Sequence, residues 1–170
     1  MIWVNSEWQT LYDEIKIKRV GIDFVKGLDD DIYQSLDPKI RNLIILDDQM
    51  HNTGDSKLLG RLFTEASHHR NLTIIYIVQN LFDKGKSHRT VSLNAQYLIL
   101  FKNPRDKSQI ATMGRQMFPG KGKFLVECFQ DATQVPYGYL FLDLKPGTED
   151  NMRVMTKILP NERTVYYIPT

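Results

Sequence analysis

The chain has 170 residues, 42% hydrophobic and 25% charged, which suits one soluble globular domain with a real core. A formal charge of +2 is too small to argue for nucleic-acid binding from charge alone. A single cysteine, Cys128, excludes an internal disulfide and a cysteine zinc site, and suits a reducing, intracellular compartment.

At the N-terminus, Met1 to Trp8 has no basic flank and no long apolar run, so no signal peptide is read there. No stretch approaches the roughly 20 apolar residues of a membrane helix. Ile2 to Asn5 and Val20 to Phe24 are weak strand candidates. Leu43-Ile44-Ile45-Leu46 is a stronger one. Asp55-Ser56 then predicts the cap of a helix through Ala66, with Leu58, Leu59, Leu62 and Phe63 on one face.

Thr73 to Val78, Tyr97 to Phe101 and Tyr139 to Leu142 are further unbroken apolar runs. Runs of this kind predict strands buried on both faces of a parallel, helix-covered sheet. Between the last two, Pro104 to Met117 predicts a helix with Ile110, Met113 and Met117 at helical spacing, stopped by Pro119-Gly120. Lys123 to Asp131 predicts another. Alternating strands and helices argue for an α/β fold. The expected organisation is one core over 1–146 and a tail over 147–170. The last apolar run of that tail, Thr164 to Ile168, is either an added edge strand or a docked segment.

The chemistry centres on Asn42-Leu43-Ile44-Ile45-Leu46-Asp47-Asp48, a strand ending in two carboxylates. Ligands of α/β sheets bind beyond the carboxyl ends of the strands. Two acids there can serve a metal nucleotide, Asp47 holding Mg²⁺ and Asp48 orienting or deprotonating water, which is the Walker B pattern. A strand leaving into a polar turn gives the same string. The next predicted strand ends in Val78-Gln79-Asn80, two amides at the same sheet edge. Gln79 and Asn80 are candidates for nucleotide contact. By likeness to RecA-like ATPases, where a polar side chain on the neighbouring strand senses the γ-phosphate or the attacking water, Gln79 is expected to take that role. An amide pair that only satisfies a turn is the bland reading.

Several longer strings point to one family. They are Ser67-His68-His69-Arg70-Asn71, Val78-Gln79-Asn80-Leu81-Phe82, Arg89-Thr90-Val91-Ser92-Leu93-Asn94, Leu100-Phe101-Lys102-Asn103-Pro104-Arg105-Asp106-Lys107-Ser108-Gln109 and Pro136-Tyr137-Gly138-Tyr139-Leu140. Together they resemble the DNA-packaging ATPases of large DNA viruses and of the virus-like Maverick/Polinton transposons, within the FtsK–HerA branch of RecA-like motors. The similarity runs from about Asn42 to Pro146, and the Phe-Lys-Asn-Pro-Arg-Asp block is its most distinctive part. It implies a mostly parallel RecA-like P-loop NTPase sheet and a homo-oligomeric ring. It also implies Mg²⁺ and ATP as cofactors and movement of double-stranded DNA into a capsid.

A working member also needs a P-loop, Gly-x-x-x-x-Gly-Lys-Ser/Thr, ahead of the Walker B strand. Gly120-Lys121 and Gly122-Lys123 have Arg115 and Met117 where the first glycine belongs, and neither pair is followed by Ser or Thr. Gly85-Lys86-Ser87 ends correctly but has Asn80 at the first glycine, and His88-Arg89-Thr90-Val91 reads as a poor helix start. The P-loop strand and helix are therefore expected to be missing, with Ile2 to Ser6 matching the strand after them. The chain is then a truncated piece, a transposon-derived remnant, or a partner to a P-loop on another polypeptide. The first two are favoured. ATPase activity is left open, and hydrolysis by the chain alone is not expected.

Other residues carry weaker hypotheses. Arg70 and Arg89 are candidates for an arginine finger reaching a neighbour's γ-phosphate, against plain surface charges. Lys84 and Lys86, in a basic loop with His88 and Arg89, are candidates for the DNA backbone, as are Lys102, Arg105 and Lys107. His68-His69 suit a helix end better than a metal, because adjacent helical side chains diverge by about 100°. Cys128 reads as core. A non-enzymatic alternative is a protein- or DNA-binding remnant that joins a full-length ring. Co-purification with an intact homologue would favour it, and a strictly monomeric, inert chain would count against it. A metal-dependent nuclease would need Asp23, Asp83 or Asp143 to converge on Asp47 and Asp48.

Overall fold

The computed structural model describes residues 1–29, 32, 34–47, 57–66, 71–80, 86–104 and 107–169, with the backbone alone at 65, 66, 86–88 and 107. The chain forms two compact units, Met1–Asn94 and Ala95–Thr170. The class is α/β, with one parallel and one antiparallel sheet of four strands each.

The first unit holds strand β1 (Ile2–Asn5), helix α1 (Thr10–Lys18), β2 (Asp23–Lys26) and β3 (Asn42–Asp47). Helix α2 (Lys57–Arg61) follows and runs into a π-helical turn, Leu62–Ala66. Strand β4 (Leu72–Ile77) and helix α3 (Lys86–Asn94) complete the unit. The sheet order is β2-β1-β3-β4, parallel throughout. Asn71, at φ 47°, turns the chain into β4, and its carbonyl accepts the Asn42 N–H at 2.9 Å. Asparagine tolerates this left-handed conformation better than most residues.

Register fixes the two sheet faces. One carries Val4, Ile44, Leu46, Ile74 and Tyr76, and it packs into a core with Ile32, Leu59, Leu62 and Val91. The other carries Phe24, Trp3, Ile45 and Ile75, then Lys26, Asn5, Asp47 and Ile77. Helix α1 is held on this second face by an aromatic cluster. Tyr12 lies 5.5 Å from Trp3, 5.5 Å from Trp8 and 5.4 Å from Phe24.

The second unit comprises β5 (Tyr97–Phe101), α4 (Lys107–Met117), α5 (Gly122–Ala132), β6 (Tyr139–Asp143), β7 (Val154–Thr156) and β8 (Val165–Tyr166). Its sheet order is β5-β6-β7-β8, antiparallel throughout. Tyr167, just past β8, donates from its hydroxyl to Asp131 Oδ2 at 2.6 Å and so ties the tail to α5. Burial and that carboxylate raise the phenol pKa.

Two sequence expectations are corrected here. The runs Tyr97–Phe101 and Tyr139–Asp143 pair antiparallel with one another, not as members of one mostly parallel sheet. β4 and β5 are also not buried on both faces. Among the described residues each is an edge strand with alternating exposure, and Ile75, Ile77, Ile99 and Phe101 are exposed. Edge strands usually carry charges or proline that discourage further pairing. Leu-Thr-Ile-Ile-Tyr-Ile and Tyr-Leu-Ile-Leu-Phe have neither. By contrast β3 and β6 are interior strands, β3 buried at Ile44, Ile45 and Leu46 and β6 at all but Phe141.

Candidate functional site

The C-terminal ends of the parallel strands bring Lys26, Asn5, Asp47 and Ile77 into one row. Neighbouring strands lie about 4.8 Å apart, and residues in register point to the same face. Asp47 therefore stands in the middle of the sheet edge on the α1 face. Asn5 beside it is 4% exposed, a buried polar side chain next to a carboxylate. Gly27, at φ 78° just past β2, continues the β1–β2 pairing by donating its N–H to the Asn5 carbonyl at 3.0 Å.

The Asp47 carboxylate has a specific partner. Tyr12 donates its hydroxyl to Asp47 Oδ2 at 2.8 Å. The Tyr12 side chain is almost fully enclosed, at 1% exposed. Sequence reasoning missed this residue. Only pairing across 35 positions, with α1 laid over β1 and β3, brings it to the strand end.

Gln79 and Asn80 lie just beyond β4, whose Ile77 pairs in register with Asp47. The amides and Asp47 thus leave the same edge of the sheet. Gln79 is exposed and Asn80 half-buried. Arg89 is exposed on α3, one turn in from the helix start. That start corrects the sequence reading: His88-Arg89-Thr90-Val91 belongs to a helix beginning at Lys86 and not to a basic loop. Buried Val91 anchors α3 in the core. Asp48, His68, His69, Arg70, Asp83, Lys84, Gly85 and Arg105 lie outside the described residues, as do the Lys86 and Lys107 side chains.

The nuclease alternative loses one of its acids. Asp23 pairs with Ile2 at the N-terminal end of the sheet, opposite Asp47. Asp143 belongs to the second unit, where its carboxylate accepts the Lys145 N–H at 3.0 Å and lies 3.6 Å from Lys145 Nζ. Among the described residues no group of three or more His, Cys, Asp or Glu could hold a metal ion. Cys128 is buried in α5, and burial pushes its thiol up to about 12, so it is no nucleophile at neutral pH. No helix among the described residues is long and apolar enough to cross a membrane.

No family model matches this sequence, and neither a curated protein nor a solved structure matches it.

Proposed function

We propose that the chain is part of a RecA-like DNA-packaging ATPase core, of the viral and Maverick/Polinton kind, that does not hydrolyse ATP unaided. The observation that carries this reading is the position of Asp47. It ends an interior strand of an all-parallel sheet, with Gln79 and Asn80 leaving the adjacent strand at the same edge. This is the carboxyl edge where α/β sheets bind their ligands. The sequence resemblance adds the packaging family.

Mg²⁺ suits the donor set. It is usually held by one or two carboxylates together with substrate phosphates, not by a protein cage. A single Asp at the strand end, beside buried Asn5, serves that mode. When bound, Mg²⁺ would neutralise phosphate charge. Asp47 would hold it, Asp48 would orient water, and Gln79 would sense the terminal phosphate. Arg70 or Arg89 would act on a neighbour's site in a homo-oligomeric ring. Lys84 and Lys86 would face double-stranded DNA.

Backbone amides of a P-loop supply most of the grip on a triphosphate, and no such motif stands ahead of Asp47 in the sequence. Incubation of the purified chain with Mg·ATP is therefore expected to release no phosphate above the protein-free background. Release that disappears in Asp48→Asn would overturn the inactivity.

A further inference from the structure

We infer that Tyr12 is the positioning residue of the Asp47 site, and that it couples the state of that site to helix α1. The inference rests on the reading of Asp47 as a metal-binding carboxylate. A carboxylate at a strand end can rotate about its terminal torsion, which is broad. Metal ligation needs that rotation fixed, and hydrogen bonds from neighbouring groups commonly do this. Here the Tyr12 hydroxyl donates to Asp47 Oδ2 at 2.8 Å.

Tyr12 itself has little freedom. Its ring is wedged among Trp3, Trp8 and Phe24, with centroids 5.4–5.5 Å away. Lys16 closes the outer side, 4.3 Å above the Trp8 ring and 5.3 Å from that of Phe24. Trp8 is further tied to α1, donating its Nε1–H to Asp13 at 3.2 Å. A shift of the carboxylate toward a cation therefore moves a hydroxyl whose ring is locked into this cluster. Trp3 and Trp8 are the only tryptophans in the chain. Their emission is a built-in report on Asp47.

The test measures Mn²⁺ affinity in the presence of ATP, by electron paramagnetic resonance, for the unsubstituted chain, Tyr12→Phe, Asp47→Asn and the double variant. Tyr12→Phe keeps the ring and removes only the hydroxyl. It is expected to weaken Mn²⁺ binding about tenfold, the usual size for groups that orient a metal ligand. In the Asp47→Asn background the same change should cost nothing more, because there is no ligand left to position. A merely structural role would leave the Mg²⁺-induced change in tryptophan emission in place in Tyr12→Phe, whereas loss of a hydroxyl that couples the site to α1 removes it.

Equal affinity in the unsubstituted and Tyr12→Phe chains overturns the inference and leaves Asp47 as a ligand. An unsubstituted chain that binds no Mn²⁺ overturns the metal reading of Asp47 itself, and the inference with it. If Tyr12→Phe does not fold, tryptophan emission of ligand-free Asp47→Asn decides the matter. A shifted spectrum is expected, and an unchanged one overturns the coupling.

Discussion

Leu46→Ala is expected to lower the stability of the first unit by about 2–5 kcal/mol, the range for truncating a fully buried leucine. Leu46 is 0% exposed on interior strand β3. It sits in register between Val4 and Tyr76 and packs in the core with Ile44, Leu59 and Leu62. A rigid sheet cannot collapse around the lost methyl groups, which places the cost toward the upper end. For a unit of this size each kcal/mol moves the thermal midpoint by roughly 4–8 °C. Hydrogen exchange should then quicken in β3 and β4 well before β6. A midpoint shift below about 2 °C would contradict the packing given for β3. The same substitution disturbs the site directly, because Asp47 is the next residue and inherits its position from Leu46.

Gly138→Ala should be nearly as damaging to the second unit. Gly138 enters β6 from the turn that leaves α5, and its N–H donates to the Val135 carbonyl at 3.0 Å. An added Cβ would collide with the Ala132 carbonyl oxygen and come within 3.0 Å of the Val135 oxygen and 3.2 Å of Thr133 Cα. All three are backbone atoms, so no side-chain rotation relieves the contact. A loss of roughly 3 kcal/mol, the top of the usual overpacking range, is expected in urea unfolding. An unchanged unfolding midpoint would show that the turn can open without penalty.

The difference between interior and edge strands explains how much of the fold was legible. β3 and β6 were read as buried strands from their unbroken apolar runs, and they are. β4 and β5 have equally apolar runs but lie at sheet edges. Composition cannot show where a strand sits in the order. Nor could it show that Tyr97–Phe101 and Tyr139–Asp143 run antiparallel, since the two intervening helices leave enough chain for either direction. The residues that decide the pairing are far apart in sequence.

Two helices escaped for different reasons. α1 has a thin apolar stripe: Tyr12 is buried, while Leu11 and Ile17 are exposed and Asp13, Glu14 and Lys16 intervene. Its stability comes from aromatic contacts made by that one ring, with Trp3, Trp8 and Phe24. α3 is rich in Ser, His, Thr, Val and Asn, which have weaker helix preference than its Lys, Arg and Leu, and burial of Val91 outweighs that preference.

The candidate site was legible in the same uneven way. Asp47 and Gln79 announce themselves as polar residues ending apolar runs, and the sheet places Asp47 at the end of β3 and Gln79 just beyond the adjacent β4. Buried Asn5 and Tyr12 do not. Asn5 looks like the end of a weak strand, and Tyr12 lies in a stretch that the sequence does not mark as a helix. Only the β1–β3 register and the packing of α1 give them a relation to Asp47.

The central claim is that the edge around Asp47 is a metal-nucleotide site. Calorimetric titration of the purified chain with Mg·ATP, beside Asp47→Ala, tests it most directly. Weak binding in the millimolar range that vanishes in Asp47→Ala is the predicted result. No binding by either chain, or binding that Asp47→Ala leaves intact, would contradict it.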